Sequence, residues 1–241
     1  MDIKEEDILG SSVNSHWYYV SKGRVIQEFL KPLSINSALD VGAGSGVFSK
    51  LLLGMDIAET ARCVDTAYEF DDKSEIHNGK NIRFVKSVDN INESLILMID
   101  VLEHVEDDLA VLKRYVDLMP IGSYILISVP AFNFLWSGHD IFLEHKRRYT
   151  LSELEALVER SGLHRVQGRY FFGLLFPIIA LIRLRNRKLM KAGKLSAKSD
   201  LSKPNNLLNK LLIAIHTLEL KTLFSVNRTA GLSAFCLAKK A

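Results

Sequence analysis

The chain has 241 residues, 48% of them hydrophobic and 24% charged, which suits one sizeable α/β core with a small appendage. A formal net charge of +3 is too small to argue for nucleic acid as a partner. The first seven residues, Met1 to Asp7, are acidic and lack an apolar core, so they do not read as a secretory signal.

Residues 1–15 are polar and expected to be ordered only where they lie over a ligand. From His16 the pattern changes. His16-Trp17-Tyr18-Tyr19-Val20-Ser21-Lys22-Gly23-Arg24 leads into Val25, Ile26, Phe29 and Leu30, an amphipathic helix that must end before Pro32. Its aromatic cluster reads first as core packing. Ala38, Leu39 and Val41 then form a short buried strand, and Gly42, Gly44 and Gly46 a tight turn. Phe48, Leu51, Leu52 and Leu53 resume at helical spacing. Such a turn lets a ligand approach backbone that carries no Cβ, and the following helix offers it free N–H groups. Asp40 stands at the strand's end, where a carboxylate holds the loop or a ligand ammonium group. Asp65 closes the next apolar run, Ala61 to Val64, at the distance a second parallel strand needs to set a carboxylate beside a ribose.

Asp40-Val-Gly-Ala-Gly-Ser-Gly46, followed by Val64-Asp65-Thr66, resembles the first two motifs of class I S-adenosylmethionine-dependent methyltransferases. The spacing G-x-G-x-G, in place of G-x-G-x-x-G, favours that family over nicotinamide dehydrogenases. The resemblance implies that Gly42, Gly44 and Gly46 pass beneath the cofactor and that Asp40 helps hold its amino-acid end. It also implies that Asp65, with Thr66 beside it, accepts from the ribose hydroxyls. Tyr19, Lys22 and Arg24 would close over the cofactor, the Arg24 guanidinium matching its carboxylate.

Ile82 to Lys86 alternates as a third, half-buried strand should. An acidic residue usually follows it in the family and meets the adenine amino group. Here Ser87 holds the nearest position and Asp89 lies two further on, a departure from the pattern. Leu95 to Ile99 is a continuous apolar run for the centre of a sheet covered on both faces, and it opens into Asp100-Val-Leu-Glu-His-Val105. That hexapeptide resembles the segment after the fourth strand in methyltransferases related to ubiquinone O-methylation. Asp100 is assigned to the cofactor, and His104 is a candidate acceptor or base.

Ser123 to Pro130 reads as the fifth strand. The loop after it, residues 131–150, is the most chemically loaded stretch of the chain, and Thr150-Leu-Ser-Glu153 closes it as a capping box. The loop is similar to one in a widespread group of bacterial methyltransferases. That similarity puts His139, Asp140 and His145 on the substrate side, with His139 or His145 as base and His104 in reserve. Trp136, Arg147 and Tyr149 join the substrate residues, although Arg147, Arg148 and Tyr149 equally suit a purely structural staple.

His164 to Phe172 reads as the sixth strand and Leu232 to Ala238 as the last. The insert between them, residues 171–228, opens with an apolar stretch too short to cross a bilayer, continues through a basic run, and closes with a Leu-rich amphipathic helix. Residues 185–205 read as a linker. Three roles are open to the insert: a lid over the acceptor, a dimer surface, or an anchor at an anionic membrane surface.

The expected fold is a single doubly wound, Rossmann-like α/β domain over residues 1–241, seven strands with the last antiparallel, plus the helical insert. Cys63 and Cys236 each fall in a predicted buried strand and form no metal-ligand pattern, so no disulfide is expected, no metal is assigned, and the expected compartment is the cytoplasm, if need be at the inner face of a membrane. The reaction implied is methyl transfer from S-adenosylmethionine to a small-molecule or lipid-linked acceptor, at oxygen. Two other readings stand beside it: a non-catalytic S-adenosylmethionine-binding regulator, and a dinucleotide-dependent oxidoreductase, which the glycine spacing disfavours.

Overall fold

A computed structural model describes residues 9–191, 199 and 204–241, the side chains of residues 11 and 186–191 excepted. Its centre is β5 (Leu95–Ile99), in which every residue is buried. A strand covered on both faces needs no polar alternation, and this one has none. β1 (Ser37–Val41) and β6 (Tyr124–Pro130) pair with it in parallel, and β2 (Thr60–Val64) and β4 (Lys80–Val85) extend the parallel sheet beyond β1. β7 (His164–Phe171) and β8 (Ser233–Lys239) complete the other side, β8 running antiparallel to both β6 and β7. With β3 (Asp72–His77) the order is β3-β4-β2-β1-β5-β6-β8-β7.

The sheet has eight strands where the sequence pattern suggests seven. The extra one, β3, forms an antiparallel hairpin with β4 at the sheet edge. It is mostly exposed and its polar sequence, Asp-Lys-Ser-Glu-Ile-His, carries no hydrophobic alternation. Asn78 and Gly79 make the turn with φ of 52° and 76°, the paired positive angles that an Asn-Gly hairpin uses.

Alternate residues of the strands point to two cores. Ala38, Leu95 and Leu97 face α1 (Trp17–Leu30) and α2 (Val47–Gly54), which contribute Ile26, Phe29 and Leu52. Leu39, Ile96 and Met98 face α3 (Asp108–Leu118) and α5 (Leu151–Arg160), which contribute Leu112, Val116 and Leu154. The short α4 (Gly138–Phe142) lies in the loop after β6.

The insert contains α6 (Phe176–Lys191) and α7 (Asn206–Thr222). α6 runs through the first residues of the expected linker; residues 192–198 and 200–203 of that linker, and residues 1–8, lie outside the described residues. Among the described residues, no helix is long and apolar enough to cross a membrane.

Candidate active site

The carboxyl ends of β1, β2, β5 and β6 share one edge of the sheet, where open α/β sheets bind their ligands. The glycine turn follows β1. Gly42 has φ of 65°, and a Cβ there would sit 2.8 Å from Val101 Cγ2. Gly46, at φ 72°, caps α2, and a Cβ there would meet Cys63 Sγ at 3.0 Å and a Phe84 ring carbon at 3.1 Å. Both positions exclude a side chain twice over, by conformation and by space. Gly44 also lies at positive φ. Its amide donates to Asp65 Oδ2 at 3.0 Å, and its carbonyl accepts from Tyr68 Oη at 2.5 Å. The Asp65 carboxylate, which also accepts from the Ala67 amide at 3.0 Å, is thus drawn to the turn with Thr66 exposed beside it.

Asp40 is buried under the turn, and its carboxylate accepts from Ser49 Oγ at 2.9 Å. Burial pushes its pKa up to about 6. In the unfolded chain the carboxyl returns to the ordinary value near 3.9. The folded state therefore holds this proton more tightly, and its stability falls as pH rises from about 4 to about 6. Asp40→Asn removes that penalty. Urea titrations at pH 4 and pH 7 are expected to show the variant gaining on the order of 2–3 kcal/mol relative to wild type over this window. An unchanged difference at the two pH values would refute the assignment.

Asp100 follows β5 with φ of 55°, a left-handed angle uncommon outside glycine. Its carboxylate collects Lys22 Nζ, Tyr18 Oη at 3.2 Å and Ser128 Oγ at 2.9 Å. Burial works against its ionisation, but the Lys22 charge and the hydrogen bonds from Lys22 and Ser128 prevail and hold its pKa below the ordinary value. Lys22 is wholly buried, and its ammonium also donates to Tyr18 Oη at 2.8 Å. Of the α1 residues assigned to the cofactor, Lys22 therefore reaches the site through Asp100. Tyr19 is buried against Phe48 in the core, and Arg24 donates to Thr217 Oγ1 of α7. Tyr18, which the sequence pattern does not single out, joins this network. Its i, i+4 spacing from Lys22 was the available signal. Ser87 is exposed, while Asp89 lines a surface cavity of about 550 Å³ with Lys113 and Arg114 of α3.

The loop after β6 folds back onto residues 102–108. The Lys146 amide donates to the Glu103 carbonyl at 2.6 Å, and Arg147 donates to the carbonyls of Val105 and Glu106. Tyr149 is buried, with its hydroxyl 2.7 Å from Asp108 Oδ2. Arg147 and Tyr149, read as substrate residues from the sequence, bond here to the 102–108 segment. Trp136 is half-buried. Asp140 is fully buried, accepting from Arg148 Nε at 2.7 Å, from the Ser137 amide at 2.8 Å and from His145 Nδ1 at 2.9 Å. Burial opposes its charge, but His145 and Arg148 outweigh burial and hold its pKa well below the carboxylate range.

An ionised Asp140 can only accept, so His145 Nδ1 carries the proton and Nε2 is left as the basic nitrogen. That Nε2 is buried and has no hydrogen-bond partner. The His104 ring lies 4.8 Å from the His145 ring and the His139 ring 6.4 Å from it. Glu103 is buried beside them with both carboxylate oxygens unpartnered. Burial, and behind it the Asp100 charge, push its pKa well above the ordinary value. One ligand atom each from Glu103, His104 and His145 lie within 4.8 Å of one another, so these three could hold a metal ion. The sequence pattern assigns no metal and leaves Glu103 out of the site, because His145, which clusters with it, is remote along the chain.

Residues 16–167 match the family model of a methyltransferase domain, well over half of the chain. The chain belongs to this methyltransferase family. It is an enzyme of the S-adenosylmethionine-dependent class. Similar folds include a S-adenosylmethionine-dependent methyltransferase from Archaeoglobus fulgidus, at 18% identity and TM-score 0.55, covering 98% of both chains. A phosphoethanolamine N-methyltransferase 2 from Haemonchus contortus, solved with S-adenosylmethionine, matches at 16% identity and TM-score 0.56. That match covers 99% of this chain, which spans only 56% of the Haemonchus one. A putative methyltransferase from Bacillus halodurans gives 11% identity and TM-score 0.54, with 91% and 99% covered. No curated protein sequence matches this methyltransferase.

Proposed function

We propose that this methyltransferase alkylates a hydroxyl oxygen on a small amphiphilic or lipid-linked acceptor, with His145 as the base. The supporting observation is the buried, unpartnered Nε2 of His145, oriented by Asp140 at 2.9 Å on the carboxyl edge of the sheet. S-adenosylmethionine supplies a methyl group already activated on a sulfonium, so the chain need only place the acceptor in line, exclude water and take a proton. In the transfer, the acceptor oxygen bonds to the methyl carbon as the carbon–sulfur bond breaks. The hydroxyl proton passes to His145 Nε2, leaving a methyl ether and S-adenosylhomocysteine. The ribose is assigned to Asp65, the cofactor's amino-acid end to the glycine turn and Asp100, and the acceptor to the loop carrying Trp136 and His139. Asp40 and Lys22 support these groups from beneath. The compartment assigned is the cytoplasm.

A second reading of the same histidine rests on its neighbours. Glu103 and His104 complete a set suited to a divalent cation, with Asp140 orienting His145 as outer-shell carboxylates orient metal-bound histidines. Such an ion would lower the pKa of an acceptor hydroxyl.

The test supplies methyl-labelled S-adenosylmethionine with organic-soluble and water-soluble cell extracts, with and without a chelator. Label should enter the organic phase, and His139→Ala/His145→Ala should lower turnover by about 10²-fold or more while cofactor binding persists. Turnover that survives the double substitution would remove both histidines from the chemistry. Loss of turnover with chelator, restored by one divalent cation, selects the second reading. Label recovered as N-methyl product would overturn oxygen as the target.

A further inference from the structure

Surface helices ordinarily turn polar residues outward. α7 does the reverse. Its inner face carries the polar anchors. Asn209 accepts from the Trp17 amide at 2.8 Å, while Glu219, buried, accepts from the Gly173 amide at 2.6 Å and pairs with His216. Its outer face carries Leu207, Leu211, Ala214 and Leu218, at i, i+4, i+7 and i+11, with Leu207 80% exposed. α6 repeats the arrangement: Leu174 just before it, then Ile178, Leu181 and Ile182 share one exposed stripe, with Leu181 72% exposed. The contacts of Glu219 with Gly173 and Leu174 tie α7 to the start of α6. Exposed apolar stripes of this kind mark an interaction surface.

Charge selects the occupant. Among the described side chains of α6 and α7, the exposed charged ones are Arg185, Lys210 and Lys221, all basic, and the one acid, Glu219, is buried. The sequence from Arg183 to Lys203 holds eight lysines and arginines against the single Asp200. A second copy of the chain would bring these like charges together. An anionic lipid leaflet satisfies both the apolar stripes and the basic residues. α6 and α7, at 16 and 17 residues, are too short and too polar to span a bilayer but suit lying in its surface.

We propose that the outer faces of α6 and α7 dock this methyltransferase on an anionic membrane surface, their leucines and isoleucines entering the headgroup boundary while Arg185, Lys210 and Lys221 meet lipid phosphates. The docked face adjoins the acceptor loop, because Phe176 at the start of α6 packs on Phe132 and Phe134 at ring distances of 5.4 and 6.1 Å. An amphiphilic acceptor would then reach the site from the bilayer, a consequence that rests on the preceding reading. The docking itself is read without turnover.

The experiment floats the full chain with vesicles of phosphatidylcholine containing about 30% phosphatidylglycerol, or of phosphatidylcholine alone. The chain should float with the anionic vesicles, bind the neutral ones at least about ten-fold more weakly, and detach as salt rises. Leu181→Gln/Leu211→Gln and, separately, Arg185→Gln/Lys210→Gln should each weaken binding about ten-fold or more while S-adenosylmethionine binding is kept. Absence of flotation overturns the proposal. So does equal binding to both vesicles, or unchanged flotation of the leucine variant. A dimer in light scattering that the leucine variant dissociates would assign the face to a second copy instead.

Discussion

Asp65→Ala is expected to weaken S-adenosylmethionine binding by about 100-fold or more, because a carboxylate shared by two ribose hydroxyls supplies two charge-assisted hydrogen bonds of about 1.5–3 kcal/mol each. The side chain stands ready for that exchange. It accepts from the Gly44 amide of the glycine turn and from the Ala67 amide two residues further along the chain. Isothermal titration reads the affinity directly. Asp65→Asn, which keeps one acceptor oxygen, should lose roughly ten-fold, between wild type and alanine. Unfolding in urea should change little for either variant, since Asp65 is only half-buried. Binding within about three-fold of wild type in the alanine variant would withdraw the ribose from Asp65.

Lys22→Met is expected to cost about 2–4 kcal/mol of stability, the lower part of the range for removing one partner of a buried pair, because Asp100 is partly exposed. The methionine nearly fills the lysine's volume, so the loss isolates the charge. Without the ammonium, the Asp100 carboxylate keeps only Tyr18 and Ser128 as partners. Asp100→Asn in the same chain should recover much of the loss, a coupling that a double-mutant cycle measures. The pH dependence has a definite sign. A carboxyl whose folded pKa is depressed contributes stability above its unfolded value, near 3.9, and loses it as pH falls through the folded value. Wild type and Lys22→Met should therefore differ most above pH 5 and converge in stronger acid. A constant difference down to pH 2 would show that packing, not the ion pair, carries the effect.

The parts of this architecture that are local in sequence were legible there. Residues 38–50 announce strand, turn and helix because glycine spacing, apolar run and helical period follow one another without interruption. Thr150 and Glu153 form the capping box their spacing requires, with Glu153 accepting from the Thr150 amide at 2.6 Å. β3 escaped because hydrophobic alternation finds half-buried strands, and this edge strand buries almost nothing. The Asn78-Gly79 turn was the better signal. The site was legible only up to the range of local pattern. Tyr18 and Tyr19 are adjacent aromatics, and helical rotation alone decides that one faces Asp100 and the other the core. Glu103 and His145 meet only because the loop after β6 folds back over residues 102–108, and no spacing rule reaches across that distance. Arg147 and Tyr149 carry the same chemistry as substrate residues would. Their partners here, Val105, Glu106 and Asp108, are set by tertiary structure.

The strand order carries a kinetic consequence. β8 follows the long helical excursion yet lies inside the sheet, between β6 and β7, and among the described residues it is the one strand to which β7 pairs. β7 cannot join the sheet by zipping from a neighbour formed earlier. It must wait until a segment some 60 residues later has closed that loop and filled the gap. Pairing of high sequence separation bears its entropy cost before any contact is gained, so assembly of this end should limit the folding rate. Until then the hydrogen-bonding edge of β6 is exposed, and it is there that the nascent chain is most open to pairing with the wrong strand.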